Sequence, residues 1–168
     1  MHRLVKDITI NRMLKKKITI FYIAVAIFIL DRLSKYYILQ LSNTVEKLDI
    51  PITSFLNLNL VYNRGIAFGL FAANDTFYYN IITFIIITIT LVVLLMALKT
   101  SGLERLSFSM IFGGSLGNIF DRLYYSAVVD FIDIHINNFH WFIFNFADVF
   151  ISIGVILLIF FEIIKKKT

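Results

Sequence analysis

The chain has 168 residues, 59% of them hydrophobic, with 18 Phe, 8 Tyr and a single Pro, and a formal charge of +5. A soluble domain of that size could not keep so much apolar surface from water, so the composition excludes one and points to a membrane protein of few spans. The absence of cysteine excludes disulfides and thiolate chemistry. The basic charge gathers at the chain ends and not in a stripe interleaved with aromatics, which excludes nucleic acid as a partner.

In chain order, Arg3, Lys6, Arg12 and Lys15 to Lys17 lead into a first apolar segment, residues 18–41. Such basic flanks are cytoplasmic anchors against anionic lipid. A cleaved signal peptide competes for this segment, but no small-residue cleavage site follows it and Asp31-Arg32 is a poor substitute, so the segment is read as a retained span. Met13 is a candidate alternative start. The connection 42–76 contains Leu56-Asn57-Leu58-Asn59-Leu60, whose strict alternation predicts a half-buried strand, hence a small sheet on the membrane surface. Three further apolar segments cover residues 77–98, 103–123 and 145–164, each of roughly 20 residues and so long enough to span as a helix. A second connection covers 124–144.

The fold class expected is therefore an all-α membrane protein, a four-transmembrane-helix bundle with a small extracytoplasmic β-sheet subdomain, forming a single domain over residues 1–168. Most Lys and Arg lie before the first span, between spans two and three (Lys99, Arg105) or after the fourth (Lys165 to Lys167). The two long connections carry Lys47 and Arg64 against Glu46, Asp49, Asp75, Asp130 and Asp133. The positive-inside rule then puts both termini in the cytoplasm and both connections outside.

Charges within a bilayer cost at least about 2–3 kcal/mol each on insertion scales, and they are retained when paired or functional. Asp31 lies about 20 Å along its helix from Ile18, in the outer part of the span. Asn118, Asp121 and Arg122 stand at the outer end of the third span and Asp148 at the outer start of the fourth, with Asp130 in the connection between them. Asp31 and Lys35, spaced i,i+4, read as a supporting ion pair. Gly113, Gly117 and Asp121 share one helix face, as do Gly114, Asn118 and Arg122, and the glycines read as sites of close helix approach. Asp130 and Asp148 have no basic neighbour and sit in apolar frames, Val128-Val129-Asp130-Phe131 and Phe144-Asn145-Phe146-Ala147-Asp148. Two such carboxyls close together would share one proton, one acting as base on a water and the other as acid on a carbonyl oxygen. From chemistry alone a proton or cation relay, or a purely structural membrane subunit, stays open. Asp133 reads as a solvated loop charge. Asp133, His135 and His140 match no recognised metal-ligand spacing, so no metal and no cofactor is expected.

The blocks Asp31-Arg32-Leu33-Ser34-Lys35, Asn63-Arg64-Gly65-Ile66-Ala67-Phe68-Gly69 and Gly113-Gly114-Ser115-Leu116-Gly117-Asn118-Ile119-Phe120-Asp121-Arg122 stand in order with the two aspartate frames just quoted. Together they cover about residues 18–164, and the chain resembles the bacterial lipoprotein signal peptidases (signal peptidase II). The resemblance implies an inner-membrane aspartyl endopeptidase that removes the signal peptide of prolipoproteins just before a diacylglyceryl-modified cysteine. It implies Asp130 and Asp148 as the catalytic pair, and Asn63, Gly65, Asn118, Asp121, Arg122 and Asn145 as residues that shape or line the site. The partners expected are lipid-modified prolipoproteins and membrane lipids, and the protein is expected to work as a monomer.

Overall fold

A computed structural model describes residues 2–65, 75–137 and 139–165. The elements run α1 (His2–Ser42), β1 (Asp49–Thr53), β2 (Leu56–Asn63), α2 (Thr76–Lys99), α3 (Gly102–Tyr125), β3 (Val128–Ile136), β4 (Phe139–Phe144) and α4 (Phe146–Lys165). The four strands form one antiparallel sheet in the order β1-β2-β3-β4. Residues 66–69 of the loop motif, and Lys166 and Lys167, lie outside the described residues.

α1 extends well before the segment expected at 18–41, because neither Gly nor Pro interrupts residues 2–42 and the helix propagates through the basic flank. It ends where the Ser42 and Thr44 hydroxyls donate to the Leu39 and Leu41 carbonyls, which satisfies acceptors left open by the last turn. α2 starts at an N-cap, the Asp75 carboxylate accepting from the backbone N–H of Phe77 and Tyr78 at 2.7 and 3.3 Å. Between α2 and α3, Arg105 turns back and donates to the Thr100 carbonyl. Of the helices, α2 and α4 are by length and composition apolar enough to cross a membrane.

The alternating stretch Leu56–Leu60 is a strand, continued to Asn63, so that Asn63 stands at the strand end beside Val128. The second connection, expected as a loop holding Asp130, is largely the β3–β4 hairpin. Its strand character was hidden because β3 begins with four consecutive buried residues and so lacks a polar alternation. Asp133 corrects the sequence reading: it is wholly buried and holds His140 Nδ1 at 2.7 Å from its Oδ2. Its place on the strand turns it inward.

The polarity of the bundle is inverted relative to a soluble protein. Asp31, Lys35, Asp121 and Asn145 are buried, whereas Phe77, Phe84, Ile89 and Leu91 of α2 and Ile156, Ile159 and Phe160 of α4 are exposed. Glycines let the helices meet closely around these buried groups. A Cβ at Gly117 would stand 2.6 Å from Asp31 Oδ2, and one at Gly114 would stand 2.5 Å from the Ala147 carbonyl oxygen and 2.8 Å from Ile151 Cγ1. Since the Gly114 contact is to backbone, relief requires α3 and α4 to part. Gly114→Ala is expected to cost roughly 1–3 kcal/mol, as overpacking does, and to lower the unfolding temperature in detergent. An unchanged midpoint would mean that α3 and α4 do not meet at this distance.

Candidate active site

Asn145 organises the site through its place in the chain. It precedes the first residue of α4, and Asp148 follows three residues later, the spacing of a capping box. The box is formed with reciprocal bonds: the Asp148 N–H donates to Asn145 Oδ1 at 3.0 Å, and the Asn145 N–H donates to Asp148 Oδ2 at 3.2 Å. The same side chain reaches the other aspartate, its Nδ2 donating to Asp130 Oδ1 at 2.6 Å and to Asn118 Oδ1 at 3.1 Å. Asp130, on β3, also accepts from Asn63 Nδ2 at 3.0 Å, and Asp148 accepts from Asn118 Nδ2 at 2.8 Å. One asparagine thus ties together the two carboxylates, brought from a strand and from a helix start. Burial, and secondly the charge of Asp148, push the Asp130 carboxyl up to about 7, against the opposing bonds from Asn63 and Asn145.

Behind Asn118 lies a buried charge cluster. Lys35 Nζ donates to Asn118 Oδ1 at 3.2 Å and pairs with Asp31 at 3.0 Å and Asp121 at 2.6 Å. Arg32 pairs with the same two carboxylates at 2.5 and 2.6 Å and donates to the Gly117 carbonyl. Two cations therefore meet two anions, and the remaining lone pairs are used locally. Asp31 accepts from the Ala147 N–H at 3.2 Å and Asp121 from the Val129 N–H at 3.1 Å. Through these two bonds the cluster grips the chain one residue before Asp130 and one before Asp148. The Asp31–Lys35 pairing expected from the i,i+4 spacing is present, widened to four residues.

On the other side, the Gly65 N–H donates to Asn63 Oδ1 at 2.8 Å, and Arg122 Nη2 donates to the Gly65 carbonyl. Arg122 is buried and has no carboxylate partner among the described residues; its guanidinium lies 5.5 Å from the Tyr79 ring centre, and Tyr79 donates to the Arg122 carbonyl. The ten residues named for the site and its support are thus joined in one hydrogen-bonded network: Asp130, Asp148, Asn63, Gly65, Asn118, Asp121, Arg122, Asn145, Asp31 and Lys35. Arg32 and Tyr79 were missed as contributors. Arg32 stood inside a quoted block without a role, and nothing in the sequence connects Tyr79 to α3.

A paired-carboxyl site on a helical bundle with a small sheet, its outer surface apolar, is the arrangement of a membrane enzyme. The same fold occurs in a bacterial membrane enzyme solved by the in meso method, with a TM-score of 0.72 and 34% identity over 89% of this chain and 90% of that one. The family model described as Signal peptidase (SPase) II matches residues 23–164, so the chain belongs to the signal peptidase II family and is a peptidase. The lipoprotein signal peptidase of Pelagibacter ubique is 49% identical over 87% of this chain and 89% of its own length. That of Francisella tularensis subsp. novicida is 38% identical over 92% and 98%.

Proposed function

We propose that this peptidase is an aspartyl endopeptidase of the bacterial inner membrane that cuts the signal peptide from prolipoproteins before their diacylglyceryl-modified cysteine. The observation that carries the reading is Asn145 bridging Asp130 and Asp148. In this reading all four helices span, from about residues 18–41, 77–98, 103–123 and 145–164, with both termini cytoplasmic and the sheet outside. The charges of α1 and α3 agree with spanning because they neutralise one another within the bundle.

A water held between the two carboxyls is the nucleophile. Asp148, in the first turn of α4, deprotonates it. Asp130 holds the shared proton and donates it to the oxygen of the developing gem-diol. Asn63, Asn118 and Asn145 position the pair, Asp121 with Asp31 and Lys35 supports it, and Gly65 and Arg122 line the approach of the substrate chain. The substrate's lipid lies against the bundle within the bilayer and sets the depth of the scissile bond, which supplies orientation. The enzyme works as a monomer.

Two results test this reading. Hydroxylamine added during turnover should leave the released signal peptide as the free acid, because direct attack by water forms no acyl-enzyme to trap, whereas an acyl-enzyme route would yield the hydroxamate. Because Asp130 acts in its protonated form, kcat/KM should fall as pH rises through about 7. A rate that climbs through the same range would assign Asp130 as the base instead.

A further inference from the structure

Side chains two apart in a strand share a face. In β3 this puts Asp133 and His135 together, on the face opposite Asp130. β4 carries an extra residue between the pairs Ile134–Phe142 and His135–His140, and this bulge sets His140 directly across from His135. The two imidazoles stack with ring centres 5.3 Å apart, and His140 Nδ1 lies 2.7 Å from Asp133 Oδ2. One donor atom from each of Asp133, His135 and His140 falls within 4.8 Å of the others.

This hairpin also gathers buried polar atoms that lack partners. Asp133 Oδ1 and His135 Nδ1 have none, although Asp133 is wholly buried. Asn57 pairs with Asp133 across β2 and β3, and its Oδ1 is likewise buried without a partner. Leaving such groups unsatisfied costs free energy, and a cation bound between Asp133 and the two histidines would supply a partner at this cluster.

We propose that Asp133, His135 and His140 form a binding site for a divalent transition-metal ion of the zinc class, with Asn57 Oδ1 available as a further oxygen donor. Two imidazole nitrogens and one carboxylate oxygen suit zinc, whereas magnesium and calcium take oxygen ligands. The ion does not enter the cleavage chemistry, since Asp130 faces away from it. It ties β3 to β4, the hairpin that carries Asp130 at one end and leads into Asn145 at the other, and so holds the two aspartate-bearing segments in register.

The test is titration of Zn²⁺ into untagged, chelator-stripped full-length protein in detergent, in competition with a chromophoric chelator. One zinc per chain is expected, with magnesium unable to displace it. His135→Ala and His140→Ala should each weaken binding at least about tenfold, while Asp130→Asn retains it. Zinc should raise the unfolding temperature of the wild type and not of His140→Ala. His140 is 50% exposed, so its truncation leaves the fold intact, which circular dichroism would verify. A folded wild type that binds no zinc overturns the proposal, as does binding that is unchanged in both histidine variants or lost in Asp130→Asn.

Discussion

Asp130→Asn and Asp148→Asn should each reduce cleavage of a lipid-modified prolipoprotein peptide by about 10²–10⁴-fold, the range carried by a single general acid or base. An asparagine at either position keeps the side-chain size but can neither take the proton of the attacking water nor give one to the carbonyl oxygen. The two losses should not add: once one carboxyl is gone the shared proton has no second site, so the double variant should be no slower than the worse single. Substrate binding and the unfolding temperature should stay near the wild type, which separates a chemical defect from misfolding. Serine- and cysteine-directed reagents should leave the wild type active, since the chain has no cysteine and the mechanism uses no hydroxyl nucleophile. Near-normal turnover in either aspartate variant would remove the pair from the chemistry.

Lys35→Met should be the most damaging substitution for stability. The lysine side chain is 1% exposed and the Asp31 and Asp121 side chains it pairs are fully enclosed. Its removal leaves Arg32 facing two buried carboxylates, and breaking a buried pair from one side costs about 3–5 kcal/mol. The cost reaches the active site, because Asn118 loses one of the two donors on its Oδ1 and the grip of Asp31 on the Ala147 N–H loosens beside Asp148. Combining Lys35→Met with Asp31→Asn removes one charge of each sign. The double variant should cost less than the sum of the singles, as measured by unfolding in detergent through a double-mutant cycle. Strict additivity would show that the two charges do not act as a pair.

Much of the site was legible because its residues are anomalous where they stand. Asp31, Lys35, Asn118 and Asp121 are expensive in apolar helices, and the i,i+4 spacing identified one ion pair without coordinates. The bounds of the apolar segment 145–164 placed Asn145 and Asp148 at a helix start. The bonds between elements were not legible: Lys35 to Asp121, Asp31 to the Ala147 N–H and Arg122 to Gly65 depend on how α1, α3 and the loop pack. The same reason explains Asp133. Three residues from Asp130 it looked like a solvated loop charge, but β3 is a strand buried on both faces, and odd spacing in a strand sends two carboxylates to opposite sides. The full length of α1 was missed because a span was bounded by hydropathy, whereas a helix stops where its backbone is broken or capped.

The central claim, that this peptidase cuts at a lipid-marked cysteine, is tested most directly with a matched pair of prolipoprotein peptides, one carrying diacylglyceryl on the cysteine and one unmodified. Purified protein in detergent should cut only the modified peptide, at the bond before the cysteine, with the products identified by mass spectrometry. Equal cleavage of both peptides, or a cut at another bond, would contradict it.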